Sequence, residues 1–174
     1  MNSLKYRDRQ TAPPSIMPSK QYWLVKSEAE VFSFDDLLAS PRKTTHWDGI
    51  RNYAARNHLQ AMKKGDEVYF YHSSATPTAI VGVAEVVKEA YPDSTALDPD
   101  DAHFDPKSKP EAPTWFMVDL RAVRKLDRPL ALDELKKTKG LEQMALIRIG
   151  RLSVQPVTAK EHDIIEKLAA TKAK

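Results

Sequence analysis

The sequence predicts a mixed α+β domain, a curled sheet or small barrel with short helices packed outside it. Three observations point there. Runs rich in aromatic and β-branched residues recur with strand-like alternation at 21–26, 67–73, 79–88 and 115–125. Short helical stretches between and after them open on capping motifs, Ser33 with Asp36 and Thr158 with Glu161. The chain has 174 residues and shows no internal repeat or second boundary, which suggests one domain, 21–170, large enough to bury a core without staples.

Residues 1–20 are polar and carry Pro13, Pro14 and Pro18, so they are expected to be a disordered N-terminal extension, with Met17 a second candidate start. Gln21–Lys26 reads as the first strand. Ser33 then caps a short helix with Phe34, Leu37 and Leu38 as its apolar stripe, and Pro41 stops it. A second helix is expected from about Asn52 to Lys64, ended by Gly65. In the strand Glu67–Ser73, Val68, Phe70 and His72 point to one face, and Tyr69, Tyr71 and Ser73 to the other. Gly82 interrupts the strand Ala79–Lys88, which signals a bulge or a close backbone approach. Tyr91–Pro113, with five prolines and many acids, reads as a long and potentially functional surface loop. Trp115–Lys125 is a long strand, followed by helical pieces at Pro129–Lys137 and Leu141–Ile149. Leu152–Gln155 is a short strand closed by Pro156, and the helix capped by Thr158 carries Ile164, Ile165 and Leu168 on its apolar stripe.

Composition excludes several functions. The chain has no cysteine, so a disulfide framework, a thiolate metal site and a cysteine nucleophile are out. No apolar run approaches the roughly 20 residues of a membrane span. The five histidines lack metal-ligand spacing, so no metal is expected, and His72 reads as a hydrogen-bonded core histidine. Asp98, Asp100, Asp101 and Asp105 lack EF-hand spacing and read as a solvated acidic loop. With five glycines and neither phosphate-loop motif, nucleotide-dependent phosphoryl transfer is not expected, and no cofactor is implied. No Gly-x-Ser-x-Gly elbow is present to single out one of the serines as a nucleophile.

The net charge is +3, but its distribution is uneven. Residues 42–64 hold six Lys/Arg and one acid, residues 121–151 nine Lys/Arg and four acids, and residues 89–111 seven acids and two lysines. This is either a polarised surface or scattered solvated charge. The informative segment is Trp47-Asp48-Gly49-Ile50-Arg51-Asn52-Tyr53. In one reading Trp47 offers its ring to a nucleobase, Asn52 reads the base edge, and helix amides with Arg51 or Arg56 hold phosphate. In the other, Trp47 packs in the core and Asn52 is a helix N-cap. Tyr71-His72-Ser73 and Arg151-Leu152-Ser153-Val154-Gln155 would complete a pocket if their strand ends converge.

Five blocks together resemble the EVE-domain family. They are Tyr22-Trp23-Leu24-Val25-Lys26-Ser27-Glu28, the Trp47–Tyr53 segment, Phe70–Ser73, Gly82–Val87 and Gly150–Pro156. They span about Gln21 to Leu168 in the family's order. The resemblance implies a PUA-like β-barrel, related to YTH and ASCH domains, that receives a flipped modified base, with modified cytosines in DNA as leading candidates and RNA as an alternative. It carries Trp47, Asn52 and Tyr53 over as pocket positions and adds Lys26, Ser27, Tyr71, Ser73, Ser153 and Gln155. Arg51, Arg56 and Arg151 are the expected phosphate contacts. Ala29 replaces the proline that often follows Ser-Glu in the family, and the long basic tail of animal members is absent. A bacterial, cytoplasmic reader is therefore expected, with a monomer favoured, no membrane and no catalysis. The rivals are an ASCH-like amidohydrolase acting on modified nucleosides, with Lys26 and Glu28 as its candidate pair, a PUA-like RNA-binding module, and an interaction domain with no nucleic-acid role.

Overall fold

In a computed structural model, residues 19–171 are described. The extension expected over the first twenty residues lies almost wholly outside them. Six strands form the sheet: β1 (Tyr22–Glu28), β2 (Thr44–Trp47), β3 (Glu67–Ser73), β4 (Ala79–Pro92), β5 (Phe116–Ala131) and β6 (Val154–Val157). Five α-helices accompany them: α1 (Phe34–Ala39), α2 (Tyr53–Ala61), α3 (Leu132–Lys137), α4 (Ala145–Arg148) and α5 (Ala159–Ala170). The mixed α+β class holds. The strand order is β2-β5-β4-β3-β1-β6, and no ladder joins β2 to β6, so the sheet is open where a closed barrel was expected. Closing it would require those two four-residue strands to pair with each other as well as with β5 and β1.

The long strands β4 and β5 pair antiparallel through four register shifts, and each such irregularity bends the strand and increases its twist. One shift falls between Ile80 and Gly82, where the sequence signalled a bulge. The Phe34 ring occupies the space a side chain at Gly82 would need, so the glycine also permits the expected close approach.

Alternation along the strands divides the core in two. Val68 and Phe70 of β3 join Trp23, Val25, Phe34, Leu37, Trp47 and Leu59 on one face, which α1 and α2 cover. Tyr69 and Tyr71 join Leu24, Ile80, Leu130, Leu135 and Ile165 on the other, which α3, α4 and α5 cover. Both expected capping boxes form. The Ser33 side chain accepts from the Asp36 amide and Thr158 from that of Glu161, and each acid returns a bond to its cap backbone.

Some boundaries differ from expectation. Strand β5 runs six residues further, to Ala131, and absorbs Pro129, so α3 starts only at Leu132. Strand β6 passes through Pro156, which a residue at a sheet edge tolerates because no partner needs its missing N–H. Strand β2 was not anticipated. Its four residues include two threonines and a histidine and bury only Trp47, and pairing with β5 defines it.

Candidate nucleic-acid interface

A cavity of about 560 Å³ opens where β1 ends, beside β2. Lys26, Ser27 and Glu28 of β1 form one side, and Val31 and Phe32 of the following turn lie next to them. Thr45, His46 and Trp47 of β2 form another side and lead into Asp48, Gly49 and Ile50. His103 and Ser153 complete the lining from distant parts of the chain. The volume falls within the ordinary range for a small-ligand pocket.

Trp47 is 8% exposed. It meets Phe70 at 5.4 Å and 82°, and Phe32 at 6.5 Å and 70°, both edge-on, so neither ring stacks flat on it. Both readings of Trp47 therefore apply, since it packs in the core and lines the cavity. Lys26 reaches across to donate from Nζ to the Gly150 carbonyl at 2.7 Å, and burial lowers its pKa. Ser27 Oγ donates to the Phe32 carbonyl at 2.5 Å. The Lys26 amide donates to the Ser153 carbonyl at 2.9 Å, which ties the chain after α4 to the cavity wall.

The turn at Trp47–Tyr53 is held from the acidic loop. Gly49 adopts φ +71°, in the left-handed region, and its amide donates to Asp93 Oδ2 at 3.0 Å. A Cβ at Gly49 would lie 2.9 Å from His103 Nε2, so the imidazole sits directly over this glycine. Arg51 donates to Asp93 Oδ2 at 2.8 Å, to the His103 carbonyl at 2.7 Å and to Thr95 Oγ1 at 3.0 Å. Burial pushes the buried Asp93 carboxyl up, but the bonds from Arg51, Thr95 and the Gly49 amide outweigh it, and its pKa lies below the ordinary value. The loop read from sequence as potentially functional is thus a strap that folds back on the Trp47 turn and places His103 at the cavity. In the sequence His103 stands out only as one of five histidines without metal-ligand spacing. The acid run around it was the available signal, because a half-buried arginine such as Arg51 needs a carboxylate partner.

The other expected site residues lie elsewhere. Asn52 is the N-cap of α2, its Oδ1 accepting from the Ala55 amide at 2.9 Å, and it does not line the cavity. Tyr53 is 61% exposed outside the cavity, its ring 5.0 Å from Trp115 with the Arg56 guanidinium 4.9 Å from its centre. Arg56 also donates to the Thr114 carbonyl at 3.1 Å and to Asn57 Oδ1. Tyr71 is buried in the second core, and Ser73 ends β3 opposite Glu28. Gln155 is 1% exposed and donates to the Leu152 carbonyl at 2.7 Å, supporting the bend that carries Arg151 and Ser153. Arg151 is exposed beside that bend. His72 accepts from the Phe34 amide at 3.1 Å, so the expected hydrogen bond forms, but the residue is half-buried and lies at the edge of the core.

The basic segments do not form one bare face. Arg121 pairs with Glu85, Arg124 with Glu166, Lys125 with Asp35, and Arg128 with Glu134. Most of the guanidinium charge on β5 is thus matched locally. Glu67, His162 and Glu166 form a cluster of possible metal donors, but Lys20, Tyr69 and Arg124 already engage its three members.

The EVE domain family model matches residues 21–168. The chain belongs to the EVE-domain family. Thymocyte nuclear protein 1 from Rattus norvegicus is 48% identical over 164 residues, covering 84% of this chain and 73% of the rat protein. Human THYN1, solved in complex with DNA containing 5-methylcytosine, superposes with a TM-score of 0.84 at 43% identity, covering 88% of this chain and all of that one. A protein from Pseudomonas syringae superposes at 0.80 with 46% identity, covering 85% of this chain and 99% of its own. These relatives support a nucleic-acid-binding EVE domain. No helix among the described residues is long and apolar enough to cross a membrane.

Proposed function

We propose that this EVE domain is a reader that holds a modified base, a modified cytosine in DNA, flipped into the cavity beside Trp47. The observation that carries the reading is Trp47 itself, an indole on the wall of a cavity large enough for a base, with no ring among the described residues stacked flat on it. A human relative solved with 5-methylcytosine DNA supports the choice of ligand. Stacking on such a ring contributes about 1–3 kcal/mol per base and offsets an unstacking cost of a few kcal/mol. Lys26, Ser27 and Ser153 supply polar atoms to the wall, while Val31, Phe32 and Ile50 supply an apolar recess. One extra methyl buried there adds about 0.8 kcal/mol, roughly a fourfold preference.

In this reading Asn52, Arg51 and Gln155 shape the site from behind. Tyr53, Arg56 and Arg151 are outside the cavity, where the strand flanking the base would pass. In this reading the protein acts as a monomer in the cytoplasm.

The test is a panel of otherwise identical duplexes carrying cytosine, 5-methylcytosine, 5-hydroxymethylcytosine or N6-methyladenine at one position, titrated at two salt concentrations. We expect a modified cytosine to bind best and Trp47→Phe to weaken it at least fivefold while the fold is retained. Equal, weak binding across the panel overturns the reading.

One observation favours a second reading. Lys26 and Glu28 line the same cavity, two residues apart on one strand, and burial favours the neutral amine of Lys26. An amidohydrolase built on that pair would release a carboxylic acid from an N-acylated nucleoside, detectable by mass spectrometry and absent in Lys26→Ala.

A further inference from the structure

Because Asn52 caps α2 and does not line the cavity, another group must read the edge of a base lying on Trp47. We infer that Asp48 reads it by sharing a single proton with the ring nitrogen N3 of a cytosine-type base, so that the pocket takes up a proton as it binds and tightens as pH falls. This rests on the proposed function.

Asp48 follows Trp47 directly and lines the same cavity. Its one ion pair among the described residues is with the exposed His46, at 3.4 Å, and its side chain is two-thirds buried. The nearby Asp93 differs, being clamped by Arg51, Thr95 and the Gly49 amide. Asp48 thus keeps acceptor capacity for a ligand, and Asp93 does not.

The edge chemistry of the base then sets the protonation. Cytosine offers an exocyclic amine as donor and N3 as acceptor. An ionised carboxylate only accepts, so one oxygen takes the amine hydrogen while the other faces the N3 lone pair. One solvent proton placed between that oxygen and N3 turns both contacts into hydrogen bonds. No bond to carbon forms or breaks, and binding consumes one proton.

The surroundings favour that uptake. Burial raises the Asp48 pKa; His46 and His103 oppose the rise and Asp93 adds to it. The titratable and charged groups around the cavity are Glu28 of β1, His46 of β2, His103 and Asp93 of the strap, Arg51 behind the strap, Tyr91 near the end of β4 and Lys26 across the cavity. The imidazoles of His46 and His103 also line the cavity, so the experiment must subtract any contribution from them and from phosphate contacts.

Affinity for a 5-methylcytosine duplex and for the same duplex with an abasic analogue is measured from pH 8 to pH 5.5, for wild type and Asp48→Asn. The abasic duplex reports the contribution of histidine and phosphate. For wild type we expect the excess affinity for the base to rise with falling pH, by about tenfold per unit at the steepest for one proton. Asp48→Asn carries a donor and an acceptor at every pH, so its excess affinity should be flat and exceed that of wild type at pH 8. A flat wild-type excess, or an unchanged slope in a folded Asp48→Asn protein, overturns the inference. Failure of the wild type to prefer the base over the abasic site at any pH overturns the reader proposal as well, so the two failures are distinguishable.

Discussion

The two faces of the sheet use alternate residues of the same strands yet are finished differently. The face carrying Tyr69, Leu24 and Leu130 is sealed by α3, α4 and α5, and its polar atoms are spent internally, Tyr69 Oη on His162 and Glu166. The face carrying Phe34, Trp47 and Phe70 is covered by α1 and α2 but stays open beside Trp47, where a loop replaces a helix as the cover. A helix satisfies its own backbone and seals apolar surface. A loop needs specific partners, and here Asp93 and Arg51 supply them. The opening is therefore held in place by polar bonds.

Four substitutions probe that contrast. Leu130→Ala, fully buried on the sealed face, should have the largest effect, a loss of about 2–5 kcal/mol of stability in urea unfolding. Affinity of the folded protein for oligonucleotides should not change, and a change would mean that the two faces are coupled. Asp93→Asn removes the counter-charge of a half-buried arginine and should cost about 3 kcal/mol. It should also weaken oligonucleotide binding, because the Gly49 turn loses its anchor.

The pH dependence provides a second check on Asp93. Its folded pKa lies below the ordinary value of 3.8, so its stabilisation is present above that value and is lost as pH falls through the folded value. Wild-type stability should therefore drop between pH 5 and pH 2.5 more steeply than that of Asp93→Asn, as urea midpoints will show. Parallel curves would remove the carboxylate from the account.

Gly82→Ala drives a methyl into the Phe34 ring and should cost about 1–3 kcal/mol, read as a lower thermal midpoint. If it costs nothing, α1 can shift on the sheet, and the open face is looser than its packing suggests. Lys125→Ala breaks an exposed pair with Asp35 and should cost less than about 1 kcal/mol, within the noise of most unfolding experiments. A larger loss would show that surface ion pairs hold α1 in place.

The capping boxes at Ser33 and Thr158, the alternation along β3 and the close approach at Gly82 were legible because each depends on residues a few positions apart or on one residue's missing side chain. The cavity wall from Lys26 to Ser27 and from Trp47 onward was also legible, through the blocks shared with the EVE family. Asn52, Tyr53, Tyr71 and Gln155 lie near the cavity but do not line it. Whether a polar side chain faces a cavity or caps a helix depends on which donors stand nearby, and those come from other elements. Strand β2 was missed because its pairing with β5 defines it.

Order along the chain is enough to set the strands, the caps, the turn at Gly49 and the indole beside it, because contacts within a few residues govern all of them. The tertiary structure decided how those pieces meet. Asp93 and His103, 46 and 56 residues after Trp47, close over the turn because a half-buried Arg51 and an otherwise unpaired Gly49 amide need a carboxylate there. That requirement crosses the fold, and only three-dimensional packing could assign the residues that meet it.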